Sequence, residues 1–365
     1  MKLFQCLLVA PAALGLLAPT VANATELNLD AITAYSQEKL DLDSNSFKTY
    51  PVKNSLLLSG GEGLVETSEE SSLEAFSTTT SASFGSTFYV GSVENGSEGE
   101  ATTFTYDFAL DLSTSFTGED SLDIALIGGN AGATSLDATM GGDGTGDHLD
   151  LDGVSYTFPL GGATVIVGDG VGVDDMNTGA CAYGAFTDLL SDCGTSNVGG
   201  SADSAIAVGY DFGNGFTLAG GLGGGDSTDG FFTEEDASTI GVEAAYTADT
   251  FGVSLAYTDD EALEYISVQA MLAPEGFPSI SVGVETEDST DAAAYFAGLT
   301  FDEVGPGSVS IGIASTELSS DDYYQYELSY SYPLNDGVTI TPGIFIADVA
   351  GVDETGVVVT TSFSF

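Results

Sequence analysis

Thr103-Phe104-Thr105-Tyr106-Asp107-Phe108-Ala109-Leu110-Asp111-Leu112-Ser113 sets Phe104, Tyr106, Phe108, Leu110 and Leu112 on one face of an extended chain and Thr105, Asp107, Ala109 and Asp111 on the other. A period of two with a greasy side and a wet side marks a strand lying between an apolar and an aqueous surrounding. The pattern recurs from about Ser77 to Phe365, interrupted by turns. A water-soluble sandwich would also alternate, but its outer face would carry Lys and Arg, and its strands would be shorter and less even in length. The expected fold is therefore all-β: a transmembrane antiparallel β-barrel with lipid outside and water inside.

A pass along the chain finds sixteen such segments: 77–91, 101–115, 121–128, 152–158, 163–168, 203–211, 215–222, 238–247, 251–258, 262–271, 278–286, 291–300, 307–316, 322–332, 337–346 and 356–365. The number is even, as bacterial single-chain barrels require. Links from an even to an odd segment are short and turn-like, among them Thr117-Gly118-Glu119-Asp120, Phe212-Gly213-Asn214 and Asn335-Asp336-Gly337. Links from an odd to an even segment are mostly longer, notably 129–151, 169–202 and 223–237. Since Phe365 ends the last strand on the periplasmic side, short turns are expected there and long loops outside. The chain has no Trp, so Tyr156, Tyr210, Tyr246 and Tyr332, each near a short turn, are expected to form the periplasmic aromatic belt.

The charge has one sign. Lys2, Lys39, Lys48 and Lys53 are the only basic side chains besides His148, and nearly all of the 56 Asp and Glu follow them, within a formal net charge of -52. Nucleic acid is excluded as a partner, because neutralising phosphates needs the opposite charge. Two readings remain for the acids: a solvated coat, or carboxylates that attract cations into a confined aqueous path. The alternation turns Asp107, Asp111, Asp123, Glu243, Glu285 and Glu327 toward the lumen wall.

The start of the chain reads as an export signal. Met1-Lys2 opens it, Leu7 to Leu17 is apolar, and Ala22-Asn23-Ala24 is a cleavage site, giving a signal peptide over 1–24 and a mature chain from Thr25. Residues 25–76 form a short acidic and polar segment without strand period, and the barrel domain is expected over 77–365. Cys181 and Cys193 lie in one Gly/Ser/Asp-rich stretch of a chain bound for an oxidising compartment, so a disulfide is expected, with two free thiols as the alternative.

The leader, with Glu26-Leu27-Asn28 after it, resembles the start of porins from marine unicellular cyanobacteria, and Leu73-Glu74-Ala75-Phe76-Ser77-Thr78-Thr79-Thr80 is similar to their transition into the barrel. That family normally carries an S-layer-homology domain and a coiled coil between leader and barrel. Only about 50 residues stand there here, so peptidoglycan tethering is not expected. The resemblance implies diffusion of small solutes through the outer membrane of a Gram-negative, cyanobacterial-type cell. In sixteen-stranded porins the loop after the fifth strand folds inward, which would put Asp169, Asp174, Asp175, Asp188 and Asp192 at a pore constriction whose shape the disulfide holds. Outer-membrane lipid and lipopolysaccharide are the implied surroundings and a homotrimer a possible assembly. Phe363 and Phe365 match the terminal signal read by barrel-assembly machinery.

Little else in the chain carries chemistry. One His and no Arg leave no room for an enzyme's base beside a nucleophile, and no cofactor is implied. Asp143, Asp147, Asp150 and Asp152 lie on a Gly-rich run and could hold Ca loosely, although a solvated acidic loop is preferred. Gly220 to Gly225 reads as a strand end rather than a phosphate cradle, since no helix opens after it and no basic partner exists. The expected function is passive diffusion of small hydrophilic solutes and cations. The rival is a structural or adhesive barrel with cation-binding acidic loops.

Overall fold

The computed structural model describes residues 80–96, 101–131, 135–142, 144–195, 204–224, 238–288, 292–318, 321–349 and 352–364. The expected signal peptide, the 25–76 segment, Asp143 and Phe365 lie outside them.

Sixteen strands close into one antiparallel barrel in chain order, with the last paired to the first. They are β1 (Thr80–Glu94), β2 (Thr103–Thr114), β3 (Ser121–Asn130), β4 (Gly144–Leu160), β5 (Ala163–Asp169), β6 (Ser204–Asp211), β7 (Phe216–Gly224), β8 (Thr239–Ala248), β9 (Phe251–Asp259), β10 (Glu264–Leu272), β11 (Ser279–Glu287), β12 (Ala293–Val304), β13 (Gly307–Leu318), β14 (Asp321–Asn335), β15 (Val338–Val349) and β16 (Val352–Ser364). A six-residue helix, α1 (Ser135–Met140), precedes β4, and a kinked 3₁₀ segment, Asp188–Gly194, lies in the connection between β5 and β6. Among the described residues no helix is long and apolar enough to cross a membrane, which says nothing about crossing by strands.

Strands β8, β9 and β11 alternate most plainly, and the burial is inverted relative to a water-soluble protein. Along β8 and β9, Ile240, Val242, Val253 and Leu255 stand exposed while Thr239, Glu243, Ser254 and Thr258 are buried. Phe104 on β2 is 59% exposed and its neighbour Thr105 only 5%. Rows of exposed Val, Leu, Ile and Tyr on the outer face, with small and polar side chains inside, suit a wall between lipid and a hydrated interior.

Two aromatic sets organise the outer face. Tyr210 with Phe212, Phe216 with Tyr246, Tyr246 with Phe251, Phe116 with Tyr156 and Tyr330 with Tyr332 make ring contacts close to the short turns. The second set crosses the closure. Phe88 of β1 meets Phe363 of β16 edge-on at 5.7 Å, and Phe104 and Tyr106 of β2 at 5.6 and 6.2 Å, so the seam between the two ends of the sheet is packed by rings.

The structure differs from the sequence reading at the long-loop end. The stretch 129–151 is not one loop: it contains α1 and the first part of β4, which starts at Gly144 and pairs with β3 through two irregularities in register. Asp147, Asp150 and Asp152 therefore sit exposed along β4 rather than in a loop. Asp147 accepts a hydrogen bond from Tyr106 (2.9 Å), and no group of three or more ligating side chains placed to hold a metal ion occurs among the described residues. The connections β13–β14 and β15–β16 are also shorter than the odd-to-even rule suggested, two residues each, because the flanking strands run further.

The β2–β3 turn is held by Asp120. One carboxylate oxygen accepts from the Ser115 hydroxyl and the Phe116 and Thr117 N–H groups at 2.8–2.9 Å, and the other from the Tyr156 hydroxyl at 2.6 Å. The Tyr156 bond, followed by that from Thr117, holds the Asp120 carboxyl well below the usual carboxylate range. A depressed pKa stabilises the folded state above the unfolded value, and that stabilisation is lost as pH falls through the folded one. Asp120→Asn should lower the urea midpoint of the refolded barrel at pH 7. The difference from the parent should shrink once the pH is taken below the ordinary carboxylate pKa of about 3.9.

Candidate functional site: a loop crossing the lumen

The chain leaving β5 turns into the barrel. Val171 and Val173 bury themselves against Ala205 and Ile166 of the inner wall, and from there the segment crosses β8, β10 and β11 to β14. Its backbone meets a different wall side chain at nearly every step. Thr178 N–H donates to Glu243 of β8 (2.6 Å), and Gly179 N–H to both oxygens of the same carboxylate (3.2 and 3.1 Å). Ala180 N–H donates to Gln269 Oε1 of β10 (2.7 Å), and Ala182 N–H to Ser281 Oγ of β11 (2.9 Å). At β14, Glu327 accepts from the Tyr183 hydroxyl (2.7 Å), the N–H groups of Phe186 and Thr187 (2.8 Å each) and the Thr187 hydroxyl (2.6 Å). Burial, with the Glu327 charge beside it, drives the Tyr183 phenol far above its ordinary pKa, so it stays a donor.

The loop then doubles back. The segment Asp188–Gly194 packs on β11, β12 and β13, with Leu190 and Cys193 buried against Phe296 and Ala314. Gln269 joins the two limbs, since its Oε1 serves the outgoing Ala180 and its Nε2 donates to Asp192 O (2.9 Å) and Thr195 Oγ1 (2.7 Å) on the return. Cys181 and Cys193 are bonded across the same two limbs, with Cα atoms 5.9 Å apart. Phe186, at the far end, enters a cluster with Tyr89, Leu136, Phe345, Ala347 and Val358, so that α1 and the loop fill one side of the interior together.

Glycine makes room for this. A Cβ on Gly221 would lie 2.2 Å from Val173 O, one on Gly283 2.0 Å from Cys193 O, one on Gly312 2.4 Å from the Tyr183 hydroxyl and one on Gly343 2.4 Å from the Phe186 ring. Inward-facing glycines on β7, β11, β13 and β15 thus form a track against which the loop rests. Gly221, part of the run set aside as a mere strand end, seats the first turn of the loop.

The carboxylates named from sequence divide into different environments. Glu243, Glu285 and Glu327 point inward, but they are 5%, 3% and 3% exposed, not open to water. Glu243 and Glu327 are covered by the loop they hold. Asp107 accepts from the Tyr89 hydroxyl (2.6 Å), Asp123 from Ser121 (2.7 Å), and Asp111 stays exposed. Of the loop acids, Asp169 sits at the end of β5, where Ser204 donates to it (3.2 Å). Asp174 and Asp192 line one polar cavity of about 280 Å³ with Asn177, Thr178, Thr195 and Gln269. Asp175 and Asp188 are exposed. Burial first, then the Asp192 charge, raises the Asp174 pKa; burial first, then the Asp174 charge, raises that of Asp175. Gln269 and the glycines were not singled out from sequence. The available signal was a Gln and a set of glycines at inward positions of consecutive strands. His148 lies exposed on β4, with its ring nitrogen 3.1 Å from Thr145 O.

A closed sixteen-stranded barrel with the loop after its fifth strand laid across the lumen is the architecture of porins. The chain is similar to the high-pH structure of OprB from Pseudomonas putida, with a TM-score of 0.60, 14% identity, and coverage of 79% of this chain and 94% of that one. It is similar also to the anion-selective porin from Comamonas acidovorans (TM-score 0.59, 16% identity, 78% and 100% covered). A loop-deletion variant of OmpT, an outer-membrane protein of Vibrio cholerae, matches too (TM-score 0.58, 11% identity, 79% and 100% covered). No family model matches the sequence, and no curated protein matches it. At these identities the likeness is one of fold.

Gly283→Val and Gly312→Val place bulk where the loop rests and should push it off the wall without breaking the strand ladder. The expected result is a barrel that still resists unfolding on heating in detergent, while chymotrypsin cuts at Tyr183 and Phe186, sites protected in the parent. Equal protection in parent and variants would contradict the seating described.

Proposed function

We propose that this chain forms an outer-membrane channel for passive diffusion of small hydrophilic solutes, and that the channel prefers cations. The observation that carries the reading is the inverted barrel, apolar outside and polar inside, narrowed by a loop whose exposed side chains include Asp175, Asp188 and Asp192. The setting that goes with it is the outer membrane of a Gram-negative cell of the cyanobacterial type suggested by the leader, with the short turns on the periplasmic side.

The preference follows from the charge inventory. After Lys53 no Lys or Arg offsets the acids. Two unit charges about 4 Å apart interact by about 1 kcal/mol in water and about 4 kcal/mol at an effective dielectric constant near 20. A passage walled by protein and lipid focuses such fields, so a few free carboxylates around a narrow aperture favour a cation over an anion by tenfold or so, since about 1.4 kcal/mol is a factor of ten. The Comamonas acidovorans porin is described as anion-selective, and a shared fold with an opposite preference is consistent with the sign of the wall charges, not the barrel, setting selectivity.

The reversal potential of the refolded mature chain in a salt gradient tests this. We expect cation preference at 0.1 M salt, where the screening length is about 10 Å, fading at molar salt; anion preference would overturn the proposal. Asp175→Asn with Asp188→Asn should move the potential toward zero. Because Asp174 and Asp175 have raised pKa values, they lose charge at higher pH than an ordinary carboxyl does. Acidification should therefore weaken the preference in two stages, the earlier beginning above about pH 3.9, and Asp174→Asn with Asp175→Asn should abolish the earlier stage alone.

A further inference from the structure

The loop spans a long way for few residues. From Glu243 on β8 to Glu327 on β14 it passes six inter-strand steps of about 4.8 Å, roughly 29 Å of wall. The ten residues from Thr178 to Thr187, nine Cα–Cα steps, reach about 30 Å when fully extended. The loop lies inside the curve of the wall, where the path is shorter, and turns at Gly179 (φ +64°), so the bonds that fasten its two ends, rather than its length, fix how far it stands from the wall. The fastenings differ in kind from those between them. At Gln269 and Ser281 one N–H meets one neutral acceptor. At each end, consecutive backbone N–H groups, Thr178 with Gly179 and Phe186 with Thr187, converge on a carboxylate. Paired N–H groups form an anion-binding concavity, and bonds to an ionised acceptor are about twice as strong as neutral ones. No Lys or Arg lies in the barrel to compete for either carboxylate.

From this geometry we infer that Glu243 and Glu327 are positioning residues that latch the loop across the lumen, and that these two latches, more than the disulfide, set the width of the aperture. The disulfide joins the loop to itself; the glutamates join it to the barrel. As a statement about solute passage this rests on the channel reading, so the test includes a readout that does not.

The variants are Glu327→Gln, Glu327→Asp and Glu243→Gln in the full mature chain. Gln turns an amide donor toward donors at Glu327, and Asp keeps the charge but stops about 1.5 Å short, one carbon–carbon bond. Three measurements are made: single-channel conductance, the size limit for graded oligosaccharides in liposome swelling, and the rate of chymotrypsin cleavage at Tyr183 and Phe186, read by mass after reduction. A hydrogen bond to a charged group shifts a local opening equilibrium by about tenfold or more. We therefore expect each variant to be cut at least about tenfold faster, to pass larger solutes and to show noisier current, while the barrel keeps its resistance to heat.

Parent-like size limit and cleavage in all three variants would overturn the latch. So would a change in ion selectivity in the two Gln variants with Glu327→Asp silent, because that outcome makes the glutamates charges only. Should the parent pass no current, the channel reading fails and cleavage still decides the latch, faster cutting supporting it and unchanged cutting refuting it. Tyr183→Phe, which removes one of the four bonds to Glu327 without touching a carboxylate, carries the test if a Glu variant does not fold, with intermediate cleavage expected and parent-like cleavage counting against the latch.

Discussion

Lipid offers a peptide group nothing to bond with, and every other feature of this molecule follows from meeting that condition. A sheet satisfies its backbone in hydrocarbon only by closing on itself, so β16 returns to β1 and the first and last strands pair from Gly85 with Ser364 to Glu94 with Thr355. Closure turns one face of every strand outward into a solvent that favours Val, Leu and Ile, and the other inward, where bulk is limited and water competes. The inverted burial is the direct consequence. The rings of Phe363, Phe88, Phe104 and Tyr106 pack across the seam, the one pairing that joins the two ends of the sheet.

The interior then faces a problem of its own. A loop entering the lumen brings unpaired N–H groups, which must be satisfied where access to water is partial. A protein with mixed charges would use Arg and Lys to fix such a loop against wall carboxylates. This barrel has none, and the backbone takes the cationic part: the N–H groups of Thr178, Gly179, Phe186 and Thr187 converge on Glu243 and Glu327. Apolar footholds at Val173, Leu190 and Phe186 complete the seat, each burying a side chain worth about 1.5–3 kcal/mol when fully withdrawn from water.

How far the sequence could be read follows from the range of the forces. Alternation is local, so segments such as 251–258 and 307–316 emerge close to their observed bounds of Phe251–Asp259 and Gly307–Leu318. The start of β4 did not emerge, because Gly144 to Asp152 is rich in Gly and Asp and becomes a strand only through pairing with β3, including its breaks in register. The place of the inward loop was legible from its length and position. Its attachments were not, because an inward Glu on a strand looks the same whether it meets water or a loop from far along the chain. Glu327 is held by residues 140 and more positions away, and nothing local announces that. Gln269 and the track of glycines were invisible for the same reason.

One consequence separates the carboxylates by function. Those bound by the loop have their lone pairs occupied by donors, and their fields are partly answered by aligned N–H dipoles. Those on the loop itself are answered less fully: Asp174 and Asp192 share a cavity, where burial and the Asp192 charge raise the Asp174 pKa, and Asp175 and Asp188 are exposed. The same excess of acid thus does two different things a few residues apart. Where it meets the backbone it fastens the loop to the wall, and where it meets water it supplies the free charge on which the proposed cation preference rests. Exchanging the anchoring glutamates for neutral side chains acts first on shape, exchanging the loop aspartates acts first on the field, and the two can be altered separately because they sit on opposite sides of the same hydrogen bonds.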